Sequence, residues 1–265
     1  MHKLTRQVRF SIMPFLSEDT ERSNSLASAP ADEGLSVFLE LSVELIGEVG
    51  PTTGFVVNVT HIEQAIRESV IPMFTERLRT DFRERRPIGL SRVVELLRLA
   101  WDQLADKFGI ARLSRLSLKL NPFRELAIES KESAMIYFSQ KFDFAAAHKL
   151  WNDELPEQRN IEIFGKCANP TGHGHNYTVE ITVKRPPSEN NFRIGDFERT
   201  VNDQLIEVLD HKNLNLDVAE FHKTNPTVEN IAVFAWHRLA GKFTGASLHC
   251  VTVWETDQTR CSYYG

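Results

Sequence analysis

Two histidines separated by one glycine carry the strongest chemical signal in this sequence. His173 and His175 stand at the start of a strand-like segment, residues 176–184. Residues i and i+2 of a strand point to the same face, so both imidazoles can reach one metal ion. Gly174, between them, has no side chain and is expected to let the backbone turn tightly. By itself an H-x-H pattern is more often a surface turn, so the metal site needs support from elsewhere in the chain.

A single thiol lies close to these histidines. Cys167 stands six residues before His173 in the polar loop Lys-Cys-Ala-Asn-Pro. A free cysteine within a strand is usually an inert small hydrophobe, and we interpret Cys250 in this way. A thiol near a cation behaves differently, because its thiolate becomes accessible near neutral pH. The spacing therefore indicates a metal beside a reactive group.

The overall composition excludes several classes of protein. The chain has 265 residues, of which 42% are hydrophobic and 25% are charged, and its net charge is −5. This usage is typical of one large globular domain or two small ones, without a general nucleic-acid surface. Three cysteines are too few for a disulfide framework. No signal-peptide or membrane-spanning segment is recognised, so we expect a cytoplasmic protein without a membrane partner.

The same sequence pattern occurs twice in the chain. Residues 101–108 and 236–243 are identical at five of eight positions, at an offset of 135. The apolar positions of residues 113–120 also match those of residues 248–255. We predict two homologous halves, residues 1–130 and 131–265.

Each half is predicted to be of the α+β class, with an antiparallel sheet and two helices on one face. The expected order is strand, strand, helix, helix and then one or two closing strands, read from alternation and helical periodicity. These elements are expected at 8–15, 36–46, 61–74, 90–108 and 113–120, and again at 141–147, 176–184, 197–208, 227–243 and 248–255. Residues 17–34 carry almost no bulky apolar side chain and are expected to form a mobile loop.

The second half contains five motifs in a fixed order: Phe-Asp-Phe-Ala-Ala-Ala-His-Lys-Leu (142–150), Phe-Gly-Lys-Cys-Ala-Asn-Pro-Thr-Gly-His-Gly-His-Asn-Tyr (164–177), Leu-Asp-His-Lys-Asn-Leu-Asn (209–215), Asn-Pro-Thr-Val-Glu-Asn (225–230) and Val-Trp-Glu-Thr (253–256). In this order they resemble the 6-pyruvoyl-tetrahydropterin synthase family, whose wider membership includes the 6-carboxy-tetrahydropterin synthases of queuosine biosynthesis. The resemblance implies the tunnelling fold (T-fold), here in tandem, and assembly into a homo-oligomer. The first half resembles the family only in outline.

The resemblance also implies a zinc site. In the family, histidines at the positions of His148, His173 and His175 bind zinc, and all three are present here. Three neutral imidazoles with an open fourth position are the arrangement of a catalytic zinc.

The remaining site residues are likewise implied by the resemblance. Cys167 would be the general base, and Asp210 and His211 would relay protons to and from it. The Glu255 carboxylate would accept hydrogen bonds from the pterin ring. Thr227 would touch the ligand, although a threonine at this place is also a typical helix N-cap.

The implied reaction converts 7,8-dihydroneopterin triphosphate, with Mg²⁺ on its triphosphate, to 6-pyruvoyl-tetrahydropterin with loss of triphosphate. One alternative is the 6-carboxy-tetrahydropterin synthase reaction, although the five residues between Cys167 and His173 resemble the pyruvoyl type. Another alternative is a non-catalytic pterin-binding or scaffold protein.

The first half is expected to lack the site. Aligned through the strands, Glu33-Gly34-Leu35 replaces the H-x-H pattern and Leu16 falls near the place of His148. Leu120 stands where Glu255 is found in the second half. We therefore expect a degenerate repeat that keeps the fold and serves packing and assembly.

Overall fold

The structure, a computed structural model, describes residues 1–14, 36–189 and 191–265. The predicted loop at 17–34 lies outside these residues, as do Leu16, Glu33 and Leu35. The chain divides into two compact units, Met1–Phe138 with Pro186–Ser188, and Ser139–Arg185 with Glu189–Gly265. No helix among the described residues is both long enough and apolar enough to cross a membrane.

The first unit contains a four-stranded antiparallel sheet in the order β1-β2-β3-β4. A π-helical turn, Ile66–Val70, joins α1 to α2, and α3 packs against β3 and β4. The elements are β1 (His2–Ile12), β2 (Val37–Gly47), α1 (Val59–Ala65), α2 (Ile71–Arg83), α3 (Leu90–Leu104), β3 (Arg112–Asn121) and β4 (Arg124–Glu129).

The core of the first unit follows directly from strand alternation. Every second residue of β2 from Leu39 to Leu45 is buried, and so are Val8, Phe10 and Ile12 of β1. The ring of Phe10 packs edge-on against Phe74 of α2, with centroids 6.0 Å apart. Because strand side chains alternate between faces, one face of the sheet is apolar and covered by helices.

The second unit repeats this arrangement. Its strands follow the order β5-β6-β8-β9, and the two-residue strand β7 pairs in parallel with β5. Helix α8 packs against β8 and β9. The elements are β5 (Ile136–His148, whose first three residues belong to the first unit), α4 (Glu157–Phe164), β6 (His173–Arg185), α5 (Ile194–Val201), α6 (Glu207–Leu209), β7 (Lys212–Asn213), α7 (Leu214–Asp217), α8 (Val228–Leu239), β8 (Ser247–Thr256) and β9 (Thr259–Tyr263).

Both units carry a β-bulge at the same place. The pairing of β2 with β3 skips Ser114, and the pairing of β6 with β8 skips His249. These residues are 135 positions apart, the offset at which the helix sequences match. A bulge leaves one residue unpaired and bends its strand, so its position is a specific feature of a sheet. The shared bulge favours the interpretation that the units are two copies of one domain.

The predicted α+β class with antiparallel sheets is confirmed, and the differences lie at element boundaries and in short elements such as α4. The helix expected at 61–74 continues to Arg83, and the helix expected at 90–108 ends at Leu104. Helix α4 was not predicted. Its apolar residues Ile161 and Ile163 are 48% and 49% exposed, so no buried apolar stripe marks it in the sequence.

Candidate metal centre and adjoining active site

Three histidines from two neighbouring strands meet at one end of the second unit's sheet. His148 is the last residue of β5, and His173 and His175 begin β6. Their candidate ligand atoms all lie within 4.8 Å of one another, and Nε2 of His148 is 3.1 Å from Nε2 of His173. Two nitrogens on one tetrahedral zinc with bonds of 2.0–2.1 Å are about 3.3 Å apart. The geometry therefore suits a shared metal ion.

The orientation of His148 is fixed by the backbone. Its Nδ1 lies 2.8 Å from the carbonyl oxygen of Pro226, which can only accept a hydrogen bond, so Nδ1 carries the proton. Its Nε2 lone pair then points toward the other two rings, as in a histidine prepared for a metal. Burial lowers the pKa of His148, and the neighbouring His173 lowers it further. The neutral, metal-binding form is thereby favoured.

Two buried ring nitrogens in this cluster have no hydrogen-bond partner among the described residues: Nδ1 of His173 and Nε2 of His175. Buried polar atoms are nearly always paired, so each exception needs an explanation. Burial also lowers the pKa of His175 and keeps its ring neutral. A metal ion bound by the cluster would satisfy Nε2 of His175. The donor set thus fits a metal with nitrogen ligands.

The glycine that this loop requires is Gly172, not Gly174 as the sequence suggested. Gly172 has φ +70°, and a Cβ there would lie 2.7 Å from the carbonyl oxygen of His148. Gly174 lies within β6, and a Cβ there would make only an ordinary 3.6 Å contact with Ala146. The close approach of two backbones therefore occurs one residue before the strand begins.

Cys167 and Glu255 both lie beside the histidines. Sγ of Cys167 is 3.8 Å from Nε2 of His173, and Oε1 of Glu255 is 3.5 Å from Nε2 of both His148 and His175. Burial raises the pKa of the Cys167 thiol, and the charge of Glu255 raises it further. The site without a cation therefore holds a thiol, and the expected thiolate depends on a positive charge at the histidines.

Asp210 and His211 form a pair that is anchored to β5. Oδ2 of Asp210 is 2.8 Å from Nδ1 of His211, and its Oδ1 accepts a hydrogen bond of 2.8 Å from the amide of Ala145. The amide of His211 in turn donates to the carbonyl oxygen of Ala145 at 2.6 Å. The Ala145 amide and the His211 side chain lower the pKa of Asp210. These bonds hold His211 at φ +56°, which is rare for a residue with a side chain.

The His211 side chain is 82% exposed at the rim of an open cleft. No hydrogen bond or ion pair within the described chain joins it to Cys167, so the expected relay is not preformed. The cleft and the histidine cluster nevertheless share His175. The cleft has a volume of about 490 Å³ and is lined by Ala145, Ala146, Ala147, Gly174, His175, Asn176, His211, Lys212 and Asn213.

Thr227 is the N-cap of helix α8. Its hydroxyl oxygen accepts a hydrogen bond of 3.4 Å from the amide of Asn230, and its backbone is extended. The structural role that its position in the sequence indicated is therefore present.

Sequence reasoning missed three groups at this site: Tyr177, the Pro226 carbonyl and the Ala145 backbone. The hydroxyl of Tyr177 lies 3.3 Å from Nδ1 of His148, and its buried ring stacks on Phe144. Strand alternation could have found Tyr177, because it is two residues after His175 on the same face. The other two act through backbone atoms, which leave no side-chain signal.

The first unit has no such cluster among its described residues. Glu40 pairs with Lys119 and Thr178 pairs with Trp254, so the β2 and β6 positions correspond at an offset of 138. Val37 then stands at the place of His175, rather than Leu35 as the sequence alignment had it. Leu120 corresponds to Glu255 as expected, but it is half-buried and not part of the core.

Comparisons with known proteins find similarity in the half of the chain that carries these residues. A family model described as 6-pyruvoyl tetrahydropterin synthase matches residues 137–265. Human 6-pyruvoyl tetrahydrobiopterin synthase is 37% identical over 130 residues, which are 48% of this chain and 90% of that protein. The 6-carboxy-5,6,7,8-tetrahydropterin synthase of Aquifex aeolicus is 28% identical over 156 residues, covering 47% of this chain and 95% of the relative. The solved Caenorhabditis elegans 6-pyruvoyl tetrahydropterin synthase aligns with 49% of this chain and 96% of its own, at 30% identity and a TM-score of 0.46.

Proposed function

Because the chain belongs to the 6-pyruvoyl tetrahydropterin synthase family, we propose that it is a zinc-dependent pterin synthase. Its second unit would convert 7,8-dihydroneopterin triphosphate, carried with Mg²⁺, to 6-pyruvoyl-tetrahydropterin with release of triphosphate. The observation that carries the proposal is the convergence of the three histidines, Cys167 and Glu255 at one end of a sheet. The first unit has a structural role in packing and in assembly of a homo-oligomer.

His148, His173 and His175 would hold the zinc, with a fourth position open to substrate. Pro226 already orients the ring of His148. Nε2 of His173 faces Nε2 of His148, and Nε2 of His175 has no hydrogen-bond partner among the described residues. Bound zinc would supply Lewis-acid polarisation of the substrate's side-chain oxygens and a positive charge that offsets the burial of the Cys167 thiol.

Cys167 is the proposed general base. Its sulfur lies 3.8 Å from Nε2 of His173, so a substrate side chain held beside the histidines would present a carbon-bound hydrogen to it. As a thiolate it removes that proton while triphosphate leaves. No redox cofactor is required, because oxidation of the side chain balances reduction of the ring.

Asp210 and His211 return the proton. The Asp210 carboxylate beside Nδ1 fixes the tautomer, so that Nε2 of His211 is the atom that exchanges protons in the cleft. Exposure of the ring allows it to exchange with solvent as well. Glu255 holds the pterin by accepting hydrogen bonds from ring N–H and amino groups. Glu255 lies close enough to the histidines to position the substrate over them.

The 6-carboxy-tetrahydropterin synthase reaction is the second candidate, because the Aquifex aeolicus relative carries that name. The zinc-loaded protein would be incubated with 7,8-dihydroneopterin triphosphate and Mg²⁺, and the product pterin identified by mass. We expect the 6-pyruvoyl product, with the Cys167→Ala variant as the inactive control. The 6-carboxy product would identify the second reaction. Unchanged substrate would indicate a non-catalytic pterin-binding or scaffold protein instead.

A further inference from the structure

The backbone that follows His148 is paired by side chains rather than by a strand. β5 ends at His148, and the next residue, Lys149, makes two hydrogen bonds with the side-chain amide of Asn215. The Lys149 amide donates to Oδ1 at 2.7 Å, and Nδ2 donates to the Lys149 carbonyl oxygen at 3.0 Å. This is the two-bond pattern that a residue of a neighbouring strand would make. The Asn215 side chain therefore takes the place of a neighbouring strand for one residue beyond the end of β5.

A second asparagine holds the same segment two residues later. The amide of Trp151 donates to Oδ1 of Asn225 at 2.8 Å. The carbonyl oxygen of Asn225 accepts from Nδ2 of Asn230, which fixes the turn before helix α8. The residue after Asn225 is Pro226, whose carbonyl oxygen orients the His148 ring. The short turn formed by Asn225 and Pro226 therefore contacts both the ring of His148 and the backbone that follows it.

The same segment also carries the thiol. The amide of Leu150 donates to the carbonyl oxygen of Cys167 at 2.9 Å. Residues 148–151 therefore connect one histidine of the cluster to the turn that presents Cys167. A shift of this segment would move His148 and Cys167 relative to each other.

From this arrangement we propose that Asn215 and Asn225 are positioning residues of the reaction. They hold the segment after His148 so that Nε2 of His148 and Sγ of Cys167 face the same metal and substrate. Within the described chain neither side chain has a hydrogen bond to the three histidines or Cys167, and both act through the backbone atoms of residues 149 and 151. The proposal rests on the proposed zinc-dependent function.

The two asparagines make different use of their amides, and this difference provides the test. The bond to Trp151 uses only Oδ1 of Asn225, so Asn225→Asp keeps the acceptor and Asn225→Ala removes it. Asn215 uses both Oδ1 and Nδ2, so aspartate does not replace it. The four variants are Asn225→Asp, Asn225→Ala, Asn215→Asp and Asn215→Ala. For each we would measure zinc affinity by chelator competition. We would also record the absorption spectrum of the Co²⁺-loaded protein, kcat, KM and thermal melting.

We expect Asn225→Ala, Asn215→Ala and Asn215→Asp each to lose about 10- to 100-fold in zinc affinity or kcat, as is usual for residues that orient metal ligands. Asn225→Asp should stay near wild type in affinity and in its Co²⁺ spectrum. The matched control is Asn58→Ala, which removes a helix N-cap of the first unit. It should lower the melting temperature and leave zinc affinity unchanged.

The proposal is wrong if Asn225→Ala keeps the zinc affinity, the Co²⁺ spectrum and the kcat of wild type. It is equally wrong if Asn225→Asp loses as much as Asn225→Ala. If the Asn215 variants do not fold, the Asn225 pair still decides. A wild-type protein that binds no zinc would instead refute the proposed function, whereas zinc-binding wild type with unaffected variants would refute only the positioning role.

Discussion

Strands β2 and β6 occupy corresponding places in the sheets of the two units but carry different residues at one end. Each alternates buried apolar residues with polar ones, from Leu39 to Leu45 in β2 and from Tyr177 to Val183 in β6, and each meets its neighbour at a bulge in the same place. They differ at one end, where β2 begins with Val37 and β6 begins with His173-Gly174-His175. The residues that build the sheet and those that could do chemistry therefore occupy different stretches of one strand. A copy can lose the second set without losing the first, because the apolar face that drives folding is untouched.

The largest contrast concerns the metal. We expect about one zinc per chain, bound by the second unit. His175→Ala should remove most zinc and turnover, because a catalytic zinc site has only three protein ligands and the two that remain would bind the metal much more weakly. Val37→Ala, the matched change in the first unit, should leave both unchanged. Metal analysis of the purified proteins measures this, and two zinc ions per wild-type chain would contradict the contrast.

Cys167→Ala should have the next largest effect. A general base typically contributes about 10²- to 10⁴-fold in rate, so kcat should fall by that factor while zinc and fold are kept. Cys261→Ala serves as the control, since Cys261 lies in β9 as a half-buried thiol away from the cluster. Steady-state kinetics with metal analysis makes the comparison. Near wild-type activity of Cys167→Ala would mean that another group is the base.

The strand ends Glu255 and Leu120 should separate binding from stability. Glu255→Ala should weaken pterin binding by about 1.5–3 kcal/mol for each charged hydrogen bond lost, without releasing zinc. Leu120→Ala should leave binding alone and cost less than the roughly 2–5 kcal/mol of a core leucine, because Leu120 is only half-buried. Titration with a non-reactive pterin and thermal melts test both. Loss of pterin binding in Leu120→Ala at an unchanged melting temperature would give the first unit a part in the site.

The smallest effects concern the helix N-caps. Thr227→Ala should cost about 1 kcal/mol of unfolding free energy, and Thr227→Ser should restore it, because Thr227 caps α8. In the first unit, α3 begins after Gly89, which offers no side-chain cap. Gly89→Ser should therefore stabilise the protein by a few tenths of a kcal/mol. Chemical denaturation measures both changes, and weaker pterin binding by Thr227→Ala would show that Thr227 also touches the ligand.

Alternation and helical periodicity, which are properties of neighbouring residues, determined most of the fold. The sequence therefore predicted the strands and long helices of both units, and the family resemblance supplied the candidate site residues. Its errors arose where length changes between the copies shift the alignment. The alignment placed Leu35 opposite His175, and only the hydrogen-bonded register of β2 with β3 moved that position to Val37.

The tertiary structure determined the distances and hydrogen bonds among the site residues. His148 and His173 are far apart in the chain, and only the two neighbouring strands bring their Nε2 atoms to 3.1 Å. The ring of His148 is oriented by the Pro226 carbonyl, a backbone group that every residue has whatever its side chain. A sequence pattern records side-chain types, so it shows which residues can bind a metal. The contacts that orient those residues come from segments distant in the sequence, so they depend on how the folded chain brings these segments together.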